Sequence, residues 1–93
     1  MIPIAYKTNL DLREVWPTSL PQVPNVGDYI ESELVWRNGF KLRLQVVSVT
    51  WVKSFGEWKP EIELHIPKHR NMSITSFYEW YAPLIGKSVS AFI

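Results

Sequence analysis

The sequence predicts a small, mainly β fold: a partly open β-barrel, or a strongly coiled antiparallel sheet of five to six strands, with one short helix before the last strand. Three observations support this prediction. The stretch 40–53 is rich in β-branched residues and lacks glycine and proline, as a long strand requires. The four glycines are isolated turn formers between short alternating segments. Only the segment after Ser73 spaces its apolar residues as a helix does.

Composition limits the classes of protein that this chain can represent. Its 93 residues are enough for one small domain over residues 1–93, and a 46% hydrophobic content with five tryptophans can fill a core. A net charge of +1 gives no general attraction to nucleic acid or to an anionic membrane. There is no cysteine for thiolate chemistry, no apolar run of membrane-spanning length, and no basic segment followed by an apolar one at the start. We therefore expect a cytoplasmic protein with no membrane contact.

The first 28 residues predict short strands and then a stiff connection. Apolar residues alternate from Ile2 to Leu12, which fits one or two strands that end near Trp16. Residues 17–28 contain three prolines and close with a glycine turn. The spacing of Pro21 and Pro24 is that of an SH3 or WW ligand, but no basic flank accompanies it, so a rigid loop is favoured.

A hairpin is predicted next. A strand over Tyr29–Trp36 is followed by the three-residue loop Arg37–Gly39, which keeps the apolar residues of both strands on one face. This register places Glu33 opposite Arg43. Gly39 suits the left-handed position that closes such a loop.

The central strand 40–53 changes phase part-way along. Its apolar residues have even numbers from Phe40 to Val46 and odd numbers from Val47 to Trp51. Because a regular strand would expose one of the two sets, a β-bulge near this pair is predicted. A short connection, Ser54–Glu57, then returns the chain as a strand over Trp58–Ile66. The expected register, with Val47 opposite Leu64, requires the same change of phase.

A short helix and a last strand complete the prediction. Ser73 is a good N-cap, and the helix that follows has one apolar stripe that must face the sheet. The stripe consists of Ile74, Phe77, Tyr78 and Tyr81. Pro83 and Gly86 stop the helix, and alternating apolar residues over Val89–Ile93 predict the final strand.

Candidate chemistry is sparse. Glu61, Glu63 and His65 alternate on one strand face and, with His69 nearby, could hold a divalent metal. The solvent-exposed face of an ordinary amphipathic strand has the same pattern, and we favour this interpretation over a metal site. The chain has no nucleophile motif and no phosphate-binding glycine loop. We therefore predict no catalytic residue, no metal and no cofactor, and a protein that is not an enzyme.

Two classes of binding function remain. The first is a protein–protein binding module that acts as a homo-oligomer or as a subunit of an assembly. Trp80 lies off the apolar stripe of the helix, so it either folds over the edge of the barrel or is an exposed anchor for a partner. Phe92 and Ile93, on the edge of the last strand, predict a neighbouring contact with an unknown partner or a second copy.

The second class is a small barrel that binds single-stranded nucleic acid. Cations interleaved with aromatic residues provide phosphate contacts and stacking platforms. The residues of this alternative are Lys41, Arg43, Trp51, Trp58, Lys68 and Arg70. Salt dependence of binding separates the two classes, because phosphate contacts weaken steeply with salt and apolar contacts do not.

Overall fold

The computed structural model describes all 93 residues and contains two β-sheets, one α-helix and two 3₁₀ turns. The strands are β1 Ile2–Pro3, β2 Ala5–Thr8, β3 Ser19–Leu20, β4 Tyr29–Glu31, β5 Arg43–Ser54 and β6 Glu57–His65. The helix α1 is Ile74–Leu84, and the 3₁₀ turns are Lys68–Arg70 and Val89–Ala91.

The sheets are small and strongly curled. β1 and β3 form an antiparallel two-stranded sheet, and a four-stranded sheet has the order β2-β6-β5-β4. In the larger sheet β2 runs parallel to β6, whereas the other pairs are antiparallel. Together they form a half-barrel. The predicted mainly β fold with one short helix is confirmed, but the strands are divided between two sheets.

The predicted last strand is wrong. Residues Val89–Ala91 form a 3₁₀ turn, in which the Ser88 side chain accepts a hydrogen bond from the Ser90 N–H. The ring of Phe92 then stacks on Tyr78 of α1, with 5.1 Å between the ring centroids. Helix α1 is therefore followed by a turn that packs back onto it, and it does not precede a strand.

The predicted β-bulge is present in β5. Val46 pairs with Leu64 and Ser48 pairs with Glu63, so Val47 is the extra residue between them. The bulge is therefore confirmed, while the predicted pairing of Val47 with Leu64 is wrong by one residue. Val46 before the bulge is 1% exposed. Because the extra residue shifts the alternation by one, Val49 beyond the bulge lies on the same face and packs against the core.

The predicted three-residue loop is also present. The Trp36 N–H donates to the Phe40 carbonyl at 2.9 Å, and the Gly39 N–H donates to the Trp36 carbonyl at 2.8 Å. Gly39 has φ 78°, the left-handed conformation that closes this loop.

The strand before this loop is shorter than predicted, because β4 ends at Glu31. The Glu33 N–H donates to the Val15 carbonyl at 2.7 Å, so the chain leaves the ladder to contact an earlier segment. As a consequence Glu31, and not Glu33, lies opposite Arg43.

Replacing Gly39 by valine tests the loop. A β-branched residue resists positive φ, so Gly39→Val is expected to destabilise the protein by about 1 kcal/mol or more. A Cβ at this position would meet no atom within 4 Å, so the loss would come from the backbone conformation alone. The check is the melting temperature, with Arg37→Val in the same loop as control. Equal melting temperatures for the two variants would contradict the loop assignment.

Helix α1 covers the sheet and completes the core. Ser73 caps it by accepting the Ser76 N–H at 3.1 Å. Three members of the predicted stripe are buried, whereas Ile74 at its start is 43% exposed. The core cluster consists of Ile4, Leu10, Ile30, Leu42, Leu44, Val46, Ile62, Leu64, Phe77, Tyr78, Tyr81 and Ile85.

An irregular segment is tied to this helix where the sequence predicted strand up to Trp16. The Asp11 N–H donates to the Tyr78 hydroxyl at 2.6 Å, and the Arg13 N–H donates to the Tyr81 hydroxyl at 3.3 Å. Tyrosine hydroxyls thus take the place of a neighbouring strand as acceptors for these backbone groups.

Candidate functional site

The end of the β5–β6 hairpin carries three exposed aromatic side chains. Residues 51–59, here called the hairpin arm, include Trp51, which is 53% exposed, and Trp58, which is 64% exposed. Phe55 at the tip is fully exposed. Large aromatic side chains are uncommon at such exposure unless a partner covers them.

The two tryptophans lie on one face of the arm. Trp51 is opposite Pro60, and Lys53 is opposite Trp58, and opposed residues of antiparallel strands project to the same side. This side continues the face on which Val49 packs against the core. The Lys53 Nζ lies 6.0 Å from the centroid of the Trp58 ring, within the range of a cation–π contact. The core-facing surface therefore extends outward without a cover.

The backbone of the arm is unpaired on both outer edges. β4 pairs with β5 only over Arg43–Gln45, and the last backbone bonds on that edge join Val46 to Gly27 and Asp28. On the other edge β2 pairs with β6 only over Glu61–Leu64. A two-stranded ribbon with free edges presents N–H and C=O groups on which another strand can pair.

The turn of the arm has an unusual residue. Phe55 and Gly56 both have positive φ, 50° and 81°, as the two central residues of a type I′ hairpin turn require. Glycine and asparagine adopt this conformation readily, whereas phenylalanine is strained in it. An exposed ring adds nothing to the core, so the strained Phe55 points to a role in contact with another molecule.

The predicted basic residues group at the opposite end of β5. Glu31 accepts from Arg43 Nε at 2.8 Å and pairs with Lys41 Nζ at 3.1 Å. Hydrogen bonds from Arg43 and then from Lys41 lower the pKa of Glu31. The Lys68 N–H donates to Gln45 Oε1 at 3.0 Å, which fixes the basic turn beside the strand.

This basic end contains a cavity of about 370 Å³. It is lined by Tyr29, Arg43, Pro67, His69 and Arg70. The cavity is shallow, since four of its five lining residues are exposed. No carboxylate lines the cavity.

The nucleic-acid set predicted from the sequence is therefore divided. Arg43 and Arg70 share one cavity, but Arg43 and Trp51 are eight residues apart on β5, a distance of about 26 Å at about 3.3 Å per residue. The cations and the stacking residues form two sites, which the alternation pattern alone did not separate.

The three residues predicted to contact a partner differ in how much of each side chain the protein itself covers. Trp80 is partly covered, with its ring edge-on to Phe40 at 5.4 Å between centroids and under the Arg70 guanidinium at 4.5 Å. Phe92 is covered on one side by Tyr78, whereas Ile93 is exposed. A role of these residues in partner binding remains a prediction.

The acidic face of β6 is occupied by its own contacts. Glu63 accepts from Ser48 Oγ at 3.1 Å and bonds to His65 Nε2 at 2.8 Å. These two bonds, with His65 the larger contributor, lower the pKa of Glu63. Lys7 Nζ lies 3.7 Å from Glu61 and 3.9 Å from Glu63. The chain holds no group of three or more His, Cys, Asp or Glu residues that could bind a metal ion.

Sequence reasoning missed Phe55 and His69 as site residues. The only signal for Phe55 was its position in a connection too short for anything but a tight turn. The sequence places His69 beside the β6 carboxylates as an optional metal ligand, but in the structure its Nδ1 lies 3.2 Å from the Tyr29 hydroxyl in the basic cavity.

Comparison with known proteins adds no relative: no family model, no curated protein and no solved structure matches this chain. None of its helices has both the length and the apolar character needed to cross a membrane.

Proposed function

We propose that the protein is a non-catalytic binding module that contacts another protein chain, acting as a homo-oligomer or as a subunit of an assembly. The observation that supports this proposal is the exposed aromatic face of the hairpin arm, with Trp51, Phe55 and Trp58 on a ribbon that has two free edges. The cytoplasmic location expected from the sequence is part of the same proposal.

The chemistry of the arm favours a protein as its partner. Buried tryptophan side chains dominate the energy of protein interfaces, and unpaired strand edges bind extended segments through main-chain hydrogen bonds. The arm has only two lysines and one glutamate between Trp51 and Lys59, so its contact surface is apolar and nearly neutral. The partner that fits is an extended, apolar segment of this chain's second copy or of another protein.

Replacing both tryptophans tests the proposal. Trp51→Ser combined with Trp58→Ser is expected to weaken partner binding at least about tenfold, because each is a candidate interface anchor. Folding should be affected little, since both rings are more than half exposed. The measurements are light scattering over a concentration series and quantitative capture of partners from the native cell by tagged protein.

The matched control is Val35→Ser, which removes an apolar side chain that is 63% exposed outside the arm. It should leave assembly and capture unchanged. If the double tryptophan variant keeps both the assembled mass and the captured partners of the unmodified protein, the arm is not the binding surface.

A second candidate function is binding of single-stranded nucleic acid. The specific observation is that Arg43 and Arg70 share a cavity, with Lys41 and Lys68 close by and Glu31 paired to two of these cations. Lysine and arginine contacts to phosphates supply most of the affinity in such complexes.

The nucleic-acid candidate predicts a steep salt dependence. Changing the four cations Lys41, Arg43, Lys68 and Arg70 to serine should abolish retention on single-stranded DNA and remove its salt slope. A variant with the same charge change elsewhere, in which Lys7, Arg13, Arg37 and Lys87 become serine, should retain most of the binding. No shift of any single-stranded probe by the unmodified protein at low salt would end this candidate.

A further inference from the structure

The basic cavity differs from an ordinary patch of surface cations, because it is concave and its cations come from two separate elements. Arg43 belongs to β5, and His69 and Arg70 belong to the 3₁₀ turn Lys68–Arg70. These residues line one cavity of about 370 Å³ together with Tyr29 and Pro67.

Each cationic or polar group in the cavity is held at one of its ends. Arg43 is bonded through Nε to Glu31, which leaves its terminal N–H groups without a partner in the chain. The Arg70 guanidinium lies 4.5 Å from the centroid of the Trp80 ring, and its N–H groups also lack a partner. His69 contacts the Tyr29 hydroxyl through Nδ1, so Nε2 remains available.

The turn that carries His69 and Arg70 is itself fixed. The Lys68 N–H is bonded to Gln45 Oε1, and the Arg70 N–H donates to the Pro67 carbonyl at 3.0 Å. Asn71, with φ 46°, closes the turn by donating to the Lys68 carbonyl at 3.2 Å. The donors are thus positioned before any ligand arrives, which reduces the entropy that binding must overcome.

We propose that this cavity binds the phosphate group of a phosphate monoester. Two guanidinium groups match the oxygens of one phosphate through paired N–H donors. A monoester carries close to two negative charges and three terminal oxygens above its second pKa of about 6. A diester within a nucleic-acid strand carries one charge and two such oxygens, so it satisfies fewer of these donors.

The organic part of the ligand also has a place. The cavity is larger than a phosphate group, and its remaining walls are the Tyr29 ring and the buried Pro67. A small group attached to the phosphate can pack against these walls. The site is independent of the hairpin arm, so its test does not depend on the proposed protein partner.

The test is an NMR titration of the intact protein with defined phosphate compounds at low salt and pH about 7.5, above the second pKa of the monoester. Methyl phosphate represents the proposed group and dimethyl phosphate the diester. Adenosine monophosphate and a blocked peptide with one phosphoserine represent a free ligand and a modified protein. The indole N–H of Trp80 is the reporter, because its ring contacts Arg70. In the Arg70→Ala variant, which lacks that contact, the backbone amide of His69 in the cavity wall is the reporter.

We expect saturable shifts of the Trp80 signal with methyl phosphate and at least about tenfold weaker binding of dimethyl phosphate, a factor that corresponds to about 1.4 kcal/mol. Arg43→Ala and Arg70→Ala should each weaken methyl phosphate binding at least about tenfold. Arg37→Ala, which removes a cation outside the cavity, should not. Whichever of the two larger probes binds more tightly identifies the source of the phosphate.

Three results would overturn the proposal. They are the absence of a saturable shift with methyl phosphate, equal binding of dimethyl phosphate, and unchanged binding in both cavity variants. Arg43→Lys guards against a loss of folding as the cause of weaker binding. Lysine keeps the positive charge but lacks the paired N–H donors of the guanidinium group. The variant should therefore stay folded and bind the monoester more weakly than the unmodified protein.

Discussion

Val46→Asp is expected to unfold the protein at room temperature. Val46 is 1% exposed and pairs with Leu64, which is fully buried. An aspartate there would place an unpaired charge in the core, at a cost of several kcal/mol. Small domains have a total stability of about 5–15 kcal/mol, and one of this size falls near the lower end. The measurement is circular dichroism and the dispersion of the amide NMR signals.

The control is Thr50→Asp on the same strand. Thr50 is exposed and lies opposite Glu61 on the outer face of the sheet, so this change should lower the melting temperature only slightly. Val47→Asp, at the bulge itself, should lower the melting temperature by an amount between those of Thr50→Asp and Val46→Asp, because Val47 is only partly buried. A folded Val46→Asp protein with the melting temperature of Thr50→Asp would show that Val46 does not face the core.

The bulge shows what the sequence can establish about this fold. The change of phase at Val46 and Val47 requires an irregular strand, because side chains alternate strictly between the two faces of a regular one. The three-residue loop that ends at Gly39 follows from the same logic, applied to two strands joined by a glycine. Local alternation and turn chemistry are therefore sufficient for these two features.

The last strand and the length of β4 were predicted wrongly, because neither is determined by local alternation and turn chemistry alone. Val89 and Ala91 alternate with polar residues as a strand would, but the segment is too short to distinguish a strand from a turn that docks Phe92 on α1. The early end of β4 depends on Val15 and Glu14, which are distant in sequence. Such long-range hydrogen bonds leave no periodic signal.

The candidate sites were predicted in part. The basic residues and the two tryptophans were identified by type, and the structure places Arg43 and Arg70 together. Their separation from Trp51 could have been predicted from the eight residues between Arg43 and Trp51 on one long strand. Which end of the hairpin extends beyond the core could not, because it depends on how far β4 and β2 pair along it. The anchoring of Arg70 on Trp80 was also not visible, since the two residues belong to different elements.

A partly buried polar cluster around Glu14 leads to the second large effect. Glu14 accepts hydrogen bonds from the Ser32 hydroxyl, from Trp36 Nε1 at 3.0 Å and from the Tyr81 hydroxyl. Ser32 and Tyr81 are fully buried. The Glu14 carboxylate thus links its own segment, which lies between β2 and β3, to Ser32 and Trp36 and to Tyr81 of α1.

Glu14→Ala is expected to lower the free energy of unfolding by about 3 kcal/mol or more. It leaves Trp36 Nε1 and the Tyr81 hydroxyl without an acceptor, whereas the Ser32 hydroxyl keeps the Val15 carbonyl at 3.3 Å. Each donor that loses its partner away from water costs about 1–3 kcal/mol. Urea unfolding at neutral pH measures the loss. Glu79→Ala, which removes an exposed carboxylate from α1, should change the free energy of unfolding by less than about 0.5 kcal/mol. Equal stabilities of the two variants would show that the Glu14 cluster contributes little to folding.

The pH dependence of this loss provides a second test. Burial raises the pKa of Tyr81, and the hydrogen bond to Glu14 raises it further. A raised pKa in the folded state stabilises the protein fully below the ordinary tyrosine pKa of about 10, and this contribution declines as pH rises above it. Without Glu14 the pKa of Tyr81 is raised less, so the variant loses less stability in alkali than the unmodified protein.

The difference in free energy of unfolding between the unmodified protein and Glu14→Ala should therefore become smaller as pH rises above about 10. Tyr6 also titrates in this range, since burial, followed by the charge of Glu33, raises its pKa to about 12. Its contribution is the same with and without Glu14, and it cancels in the difference. A gap that stays constant from neutral pH into alkali would mean that the Tyr81 hydroxyl does not donate to Glu14 in the folded protein.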